Sequence, residues 1–120
     1  GWGKFRDVES EIIENICNFD DCIFDTGGGI ILRNENILNL KKNALIVLLT
    51  ADIKPITSRI KGSRERPALI RSDFLEEIKD IMEEREPRYK KAADYTIDTS
   101  RLTPEETCDL ITHYFQMEMV

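Results

Sequence analysis

"CIFDTGGGIIL", residues 22–32, joins a short apolar run to three consecutive glycines. The run "DCIFDT" reads as a short strand, apolar enough to be buried. A glycine triplet costs backbone entropy and contributes no side-chain packing, so it persists where bare backbone is required. Just after a strand, its amides can approach a hydroxyl or an anion closely. A simple tight turn would account for it as well.

Outward from this stretch, helices and strands alternate. Upstream, "FRDVESEIIENIC" spaces Phe5, Val8, Ile12 and Ile16 as the inner stripe of a helix, with "GWGKF" as the turn leading into it. Downstream come a brief helix, "ENILNLKKN", and a continuous apolar run, "ALIVLLTA", expected to be a strand covered on both faces. "DIKPITSRIKG" reads as a helix with Pro55 in its first turn. Residues 62–71 are polar and aperiodic, hence a loop. Ser72 is placed to cap the next helix, whose inner stripe runs Phe74, Leu75, Ile78, Ile81 and Met82. "YTIDT" is a further strand. Thr103, Pro104 and Glu106 then form a capping box with proline at the first helical position, ahead of a helix turning Ile111, Tyr114, Phe115 and Met119 inward. Alternation of this kind indicates one α/β domain over residues 1–120 with a mainly parallel sheet, whose ligands gather beyond the carboxyl ends of the strands.

Composition narrows the function. A net charge of −6 argues against non-specific nucleic-acid binding. No apolar run is long enough for a bilayer-spanning helix, so no membrane partner is expected. Three cysteines without a C-x-x-C pair, beside one histidine, make a zinc site improbable and suit reduced thiols in the cytoplasm. The first residue is Gly, and no signal peptide is visible. The natural N-terminus is therefore expected to have been processed, trimmed or omitted.

Arginines stand out in this acidic chain. Arg64, Arg66 and Arg71 crowd into "GSRERPALIRSD". Glu9 lies one helical turn from Arg6 and can hold its guanidinium, either as a surface ion pair or to serve a ligand. Arg85 continues the stripe from Ile78 and Met82 towards Tyr89; an inward guanidinium needs an anion, from a structural carboxylate or from a ligand.

In order, the chain carries F-R-x-x-E (Phe5 to Glu9), T-G-G-G (Thr26 to Gly29), R-x-x-x-x-x-x-R-P (Arg59 to Pro67), R-x-P-x-Y (Arg85 to Tyr89) and I-D-T (Ile97 to Thr99). This ordered set resembles the shikimate kinase family over nearly the whole chain. The resemblance implies a three-layer P-loop kinase-like parallel sheet with helices on both faces. It also implies transfer of the ATP γ-phosphoryl group to the 3-hydroxyl of shikimate, a step of aromatic amino-acid (chorismate) biosynthesis, with ATP and magnesium as cofactors. Arg6 and Arg85 would grip the substrate carboxylate, with Glu9 orienting Arg6, and backbone at Gly28 and Gly29 would meet ring hydroxyls. Arg66 would sit in a lid, residues 62–71, and stabilise charge during transfer. Arg59 and Arg101 would flank the adenine.

The 120 residues depart from the family in one respect: no G-x-x-x-x-G-K-[ST] motif occurs in them. Nor is the upstream acidic motif found that would accept the substrate proton. Asp25 reads either as an outer-shell group for magnesium or as a buried carboxylate bonded to neighbouring backbone. The fold is expected to lack its first strand and phosphate loop, to expose unpaired strand edges open to oligomeric contacts, and to be inactive alone. A non-catalytic remnant binding a small carboxylic acid or a protein, or a related small-molecule kinase, are the alternatives.

Overall fold

A computed structural model describes residues 1–52 and 72–118. The helix expected at "DIKPITSRIKG", the 62–71 lid, Arg59, Arg66 and Met119 lie outside the described residues.

The first helix, α1, spans Trp2–Ile16 and closes with the Cys17 amide on the Ile13 carbonyl at 2.9 Å. It begins one residue into "GWGKF", so Gly3 and Lys4 are helical rather than part of a turn. Its packed face also differs from the expected one. Ile13 and Cys17 are buried, and Arg6, Glu9 and Ser10 share their side at i, i+3, i+4, i+7 and i+11 spacing. Phe5, Val8 and Ile12 are 54%, 47% and 52% exposed. Both faces carry apolar residues, and the one centred on Ile13 meets the chain that follows. Nothing among the described residues covers the other.

Residues 22–27 form no strand, and Ile23 is 97% exposed. A strand exists through its ladder partner, and none lies beside this segment among the described residues. The chain instead enters a 3-10 helix, Gly28–Leu32, that buries Gly29, Ile30 and Ile31. α2, Asn34–Lys41, follows as expected and buries Leu40 and Asn36. Asn36 is fully enclosed and donates from Nδ2 to the Ile30 carbonyl at 3.0 Å, fastening the 3-10 helix to α2.

β1, Val47–Thr50, and β2, Tyr95–Asp98, pair in parallel with Val47 opposite Tyr95 and Thr50 opposite Asp98. With a two-stranded sheet among the described residues, β1 is half-buried and Leu49 exposed, short of the two-sided cover its apolar run suggested. α3, Ser72–Ala92, precedes β2 and carries Pro87 inside it. Its stripe is half-buried at Leu75, Ile78, Met82, Arg85 and Tyr89, whereas Phe74 and Ile81 are exposed.

α4, Pro104–Glu118, starts at the expected capping box: Glu106 N donates to Thr103 Oγ1 at 3.1 Å and Thr103 N to Glu106 Oε1 at 3.0 Å. Ile111 and Tyr114 are half-buried, Tyr114 stacking on Tyr95 with centroids 4.3 Å apart, but Phe115 faces solvent. The main core joins Ile13, Ile30, Ile31, Leu40 and Ala92, with Ile37, Ile46 and Tyr89 packed around it. The 3-10 helix lies at its centre, in contact with α1, α2 and α3. The fold is α/β with parallel strands.

Candidate functional site

Two glycines of the triplet, Gly28 and Gly29, are bare where side chains of this chain reach them. A Cβ on Gly29 would overlap the Arg6 guanidinium, at Cζ and both Nη atoms. A Cβ on Gly28 would stand 2.6 Å from the Tyr89 hydroxyl, which donates to the Gly28 carbonyl at 2.9 Å. No described glycine has positive φ, so clearance rather than backbone conformation selects glycine at these two positions. Gly27 faces open space.

Arg6 is closely held. Its Nη1 donates to Glu9 Oε1 at 2.8 Å, with both side chains mostly buried. Trp2 and Phe5, on the same helix, put their ring centroids 5.4 and 5.1 Å from its Cζ. The shielding makes this i, i+3 pair stronger than an ordinary surface pair. Beside it, Arg33 from the foot of the 3-10 helix reaches back to Asp7 at 2.7 Å and to Ser10 Oγ at 3.4 Å, tying α1 in place.

Arg85 is half-buried and lines a groove of about 310 Å³ with Leu32, Ile81, Glu84 and Arg88. Among the described residues it has no ion-pair partner. Arg6 does not line that groove. The two arginines come from α1 and α3, which both pack on the 3-10 helix, and Tyr89, one turn beyond Arg85, is the direct link between α3 and the glycines.

A second groove, of about 330 Å³, opens past the carboxyl ends of both strands, lined by Asp52, Asp98, Ser100, Arg101 and Leu102. Asp98 Oδ1 accepts from Ser100 Oγ at 2.6 Å and Ser100 N at 2.9 Å. The Ser100 hydroxyl, then the Ser100 amide, with help from the Arg101 charge, hold the Asp98 carboxyl below the usual carboxylate range. Ser100 Oγ also accepts the Asp52 amide at 2.8 Å, bridging the ends of β1 and β2. This groove is where ligands of parallel sheets collect.

Asp25 is exposed in the irregular segment before the glycines, which removes its reading as a buried, backbone-bonded carboxylate. Among the described residues no cluster of three His, Cys, Asp or Glu side chains is arranged to hold a metal, and no helix is long and apolar enough to cross a membrane. All three cysteines are free. Trp2, Asp52 and Ser100 were not singled out from sequence, and Tyr89 was read only as the end of the Arg85 stripe and of R-x-P-x-Y, without its contact to Gly28. Trp2 could have been found as the residue one helical turn before Arg6.

These elements define an α/β domain with two grooves, one lined by Arg85 and Arg88 and the other by Arg101. The solved structures agree. A shikimate kinase from Bacteroides thetaiotaomicron superposes with a TM-score of 0.79 over 100% of this chain and 70% of its own, at 19% identity, and so speaks for the fold alone. A shikimate kinase from Acinetobacter baumannii in complex with shikimate superposes with a TM-score of 0.74 at 25% identity, over 96% of this chain and 63% of its own. The fold is therefore that of the P-loop kinases. The family model for shikimate kinase matches residues 1–116. The shikimate kinase of Thermodesulfovibrio yellowstonii is 40% identical over 97% of this chain and 66% of its own length. That of Pelotomaculum thermopropionicum is 33% identical over 94% and 65%. The chain belongs to the shikimate kinase family and spans about two thirds of the length of these relatives.

Proposed function

We propose that this chain forms the acceptor-binding part of a cytoplasmic shikimate kinase, which transfers the γ-phosphoryl group of ATP to the 3-hydroxyl of shikimate. The supporting observation is Arg6, held by Glu9 above the bare backbone of Gly29 within the region matched by the family model. The shikimate bound to the Acinetobacter relative favours the same acceptor here.

In this reading Arg6 and Arg85 bind the carboxylate. Planar guanidinium groups make two-point bonds to carboxylates that lysine cannot copy. Backbone at Gly28 and Gly29 meets the ring hydroxyls. Arg101, at the groove beyond the strands, flanks the adenine together with Arg59, and Arg66 neutralises charge during transfer; Arg59 and Arg66 lie outside the described residues. Positioning and charge neutralisation dominate phosphoryl transfer, which suits a site built from held arginines. Magnesium would supply charge neutralisation at the ATP phosphates. The described residues offer it no ligand cluster.

The test is ADP release by the protein that carries these 120 residues, with and without shikimate, and phosphorus NMR of the product. Shikimate-dependent release with a phosphate ester at the 3-hydroxyl is expected. ADP release indifferent to shikimate would overturn the proposal.

A further inference from the structure

We propose that Trp2 is a positioning residue for Arg6: its indole and the Phe5 ring form an aromatic cradle that fixes the guanidinium before a carboxylate arrives. The inference deepens the acceptor-site reading and rests on it for the identity of the carboxylate; the cradle itself does not. Trp2 is the sole tryptophan of the chain and is 74% exposed. An indole presents a π face that can hold a cation. Here the indole holds a cation. Arg6 Cζ lies 5.4 Å from the Trp2 centroid and 5.1 Å from that of Phe5, both within cation–π range. The two rings meet edge to face, with centroids 5.7 Å apart at 77°, so each steadies the other.

The rest of the surroundings explain why a cradle is needed. Arginine has many rotamers, and ordering it during binding would weaken affinity. Glu9 fixes one corner of the guanidinium through Nη1, and Gly29 leaves the room that a Cβ would occupy. Neither constraint limits tilt of the guanidinium plane; ring faces do. Nε and Nη2 have no hydrogen bond among the described residues, which leaves two donors for a planar carboxylate. Trp2 thus acts on the acceptor through Arg6.

The experiment uses the protein that carries these 120 residues, as wild type, Trp2→Phe and Trp2→Leu. Its first arm is nitrogen-15 NMR of the arginine Nε–H groups without ligand, with the Arg6 signal identified by its loss in Arg6→Lys. Ring currents should displace that signal in wild type and Trp2→Phe, and it should move towards the free-arginine position in Trp2→Leu. The second arm is shikimate binding by calorimetry, with KM for shikimate and for ATP. Trp2→Leu should weaken shikimate binding about two- to fivefold, the range of an exposed cation–π contact. Trp2→Phe should restore most of that loss, and KM for ATP should not move. An Arg6 signal unchanged in Trp2→Leu, or shikimate affinity equal in all three proteins, would overturn the cradle. If the Arg6 signal moves as expected but wild type binds no shikimate, the cradle stands and the acceptor reading falls.

Discussion

Replacing Gly28 by alanine should destabilise the protein only while Tyr89 keeps its hydroxyl. The new Cβ would stand 2.6 Å from Tyr89 Oη and 3.6 Å from Cζ, and real Cβ contacts do not fall under 3.0 Å. The ring must retreat, and doing so breaks the 2.9 Å bond from its hydroxyl to the Gly28 carbonyl. A lost neutral hydrogen bond costs about 0.5–1.5 kcal/mol, and imposed overpacking of this kind about 1–3. Against this, a Gly→Ala change at a position without positive φ stabilises by about 0.4–1 kcal/mol through the unfolded chain. The net cost of Gly28→Ala alone should be about 0.5–4 kcal/mol, and that of Tyr89→Phe alone about the value of the bond. With the hydroxyl gone, the nearest atom is an ordinary contact, so adding Gly28→Ala to Tyr89→Phe should raise stability by about 0.4–1 kcal/mol. The sign of the glycine substitution reverses, and the coupling between the sites is about 1.5–4.5 kcal/mol. Urea or thermal unfolding of the four proteins reads this directly, since 1 kcal/mol moves Tm by roughly 4 °C or more in a domain of this size. Effects that add to within about 0.5 kcal/mol would show that the glycine is not there for Tyr89.

Gly29→Ala should displace the Arg6 guanidinium and weaken shikimate binding about as much as Arg6→Ala does; calorimetry finding affinity intact in the glycine variant alone would refute it. Arg85→Ala should cost about 1.5–3 kcal/mol of shikimate binding, as for a lost charge-assisted bond, with ATP affinity unchanged. Unchanged shikimate affinity would remove Arg85 from the acceptor site. Asp98 ionises below its ordinary value of 3.8 in the folded protein, so its contribution is present above that value and is lost as pH falls through the lowered one. The urea midpoints of wild type and Ser100→Ala should therefore differ most near neutrality and draw closer at pH about 3. A gap as wide in acid as at neutral pH would contradict the assignment.

Much of the architecture was legible where structure is local. The capping box at Thr103 and Glu106, the short helix after the glycines and the Arg6–Glu9 pair each depend on residues within four positions. The misreadings share a different cause. "DCIFDT" has the composition of a strand, yet a strand needs a neighbour, and composition cannot supply one. The stripe of Phe5, Val8 and Ile12 is real, but periodicity says where a stripe lies and not what it meets. The side with Ile13 and Cys17 is the one against the 3-10 helix. The triplet was read as a place where a hydroxyl or an anion comes close; the groups found close to Gly28 and Gly29 are side chains of the same chain, and Gly27 faces open space. That Tyr89 is the group approaching Gly28 spans a separation of 61 residues, beyond any local pattern.

The same long-range contacts explain how the candidate acceptor site gets its shape. Arg6, Tyr89 and Arg85 come from two helices distant in sequence, and the 3-10 helix is the element against which both pack. Its own position is fixed from below: Ile30 and Ile31 are buried, each burial worth about 1.5–3 kcal/mol, and Asn36 binds the Ile30 carbonyl from a fully enclosed position. An inward shift of that helix would therefore disturb both the core and the guanidinium of Arg6, because Gly29 and Ile30 are adjacent residues with opposite duties. On the proposed acceptor reading, the free donors of Arg6 would need no reorganisation at the moment of binding, which is how positioned charges gain most of their effect. Acceptor geometry would then be set by the buried core, with Gly28 and Gly29 the places where that core leaves room for Tyr89 and Arg6.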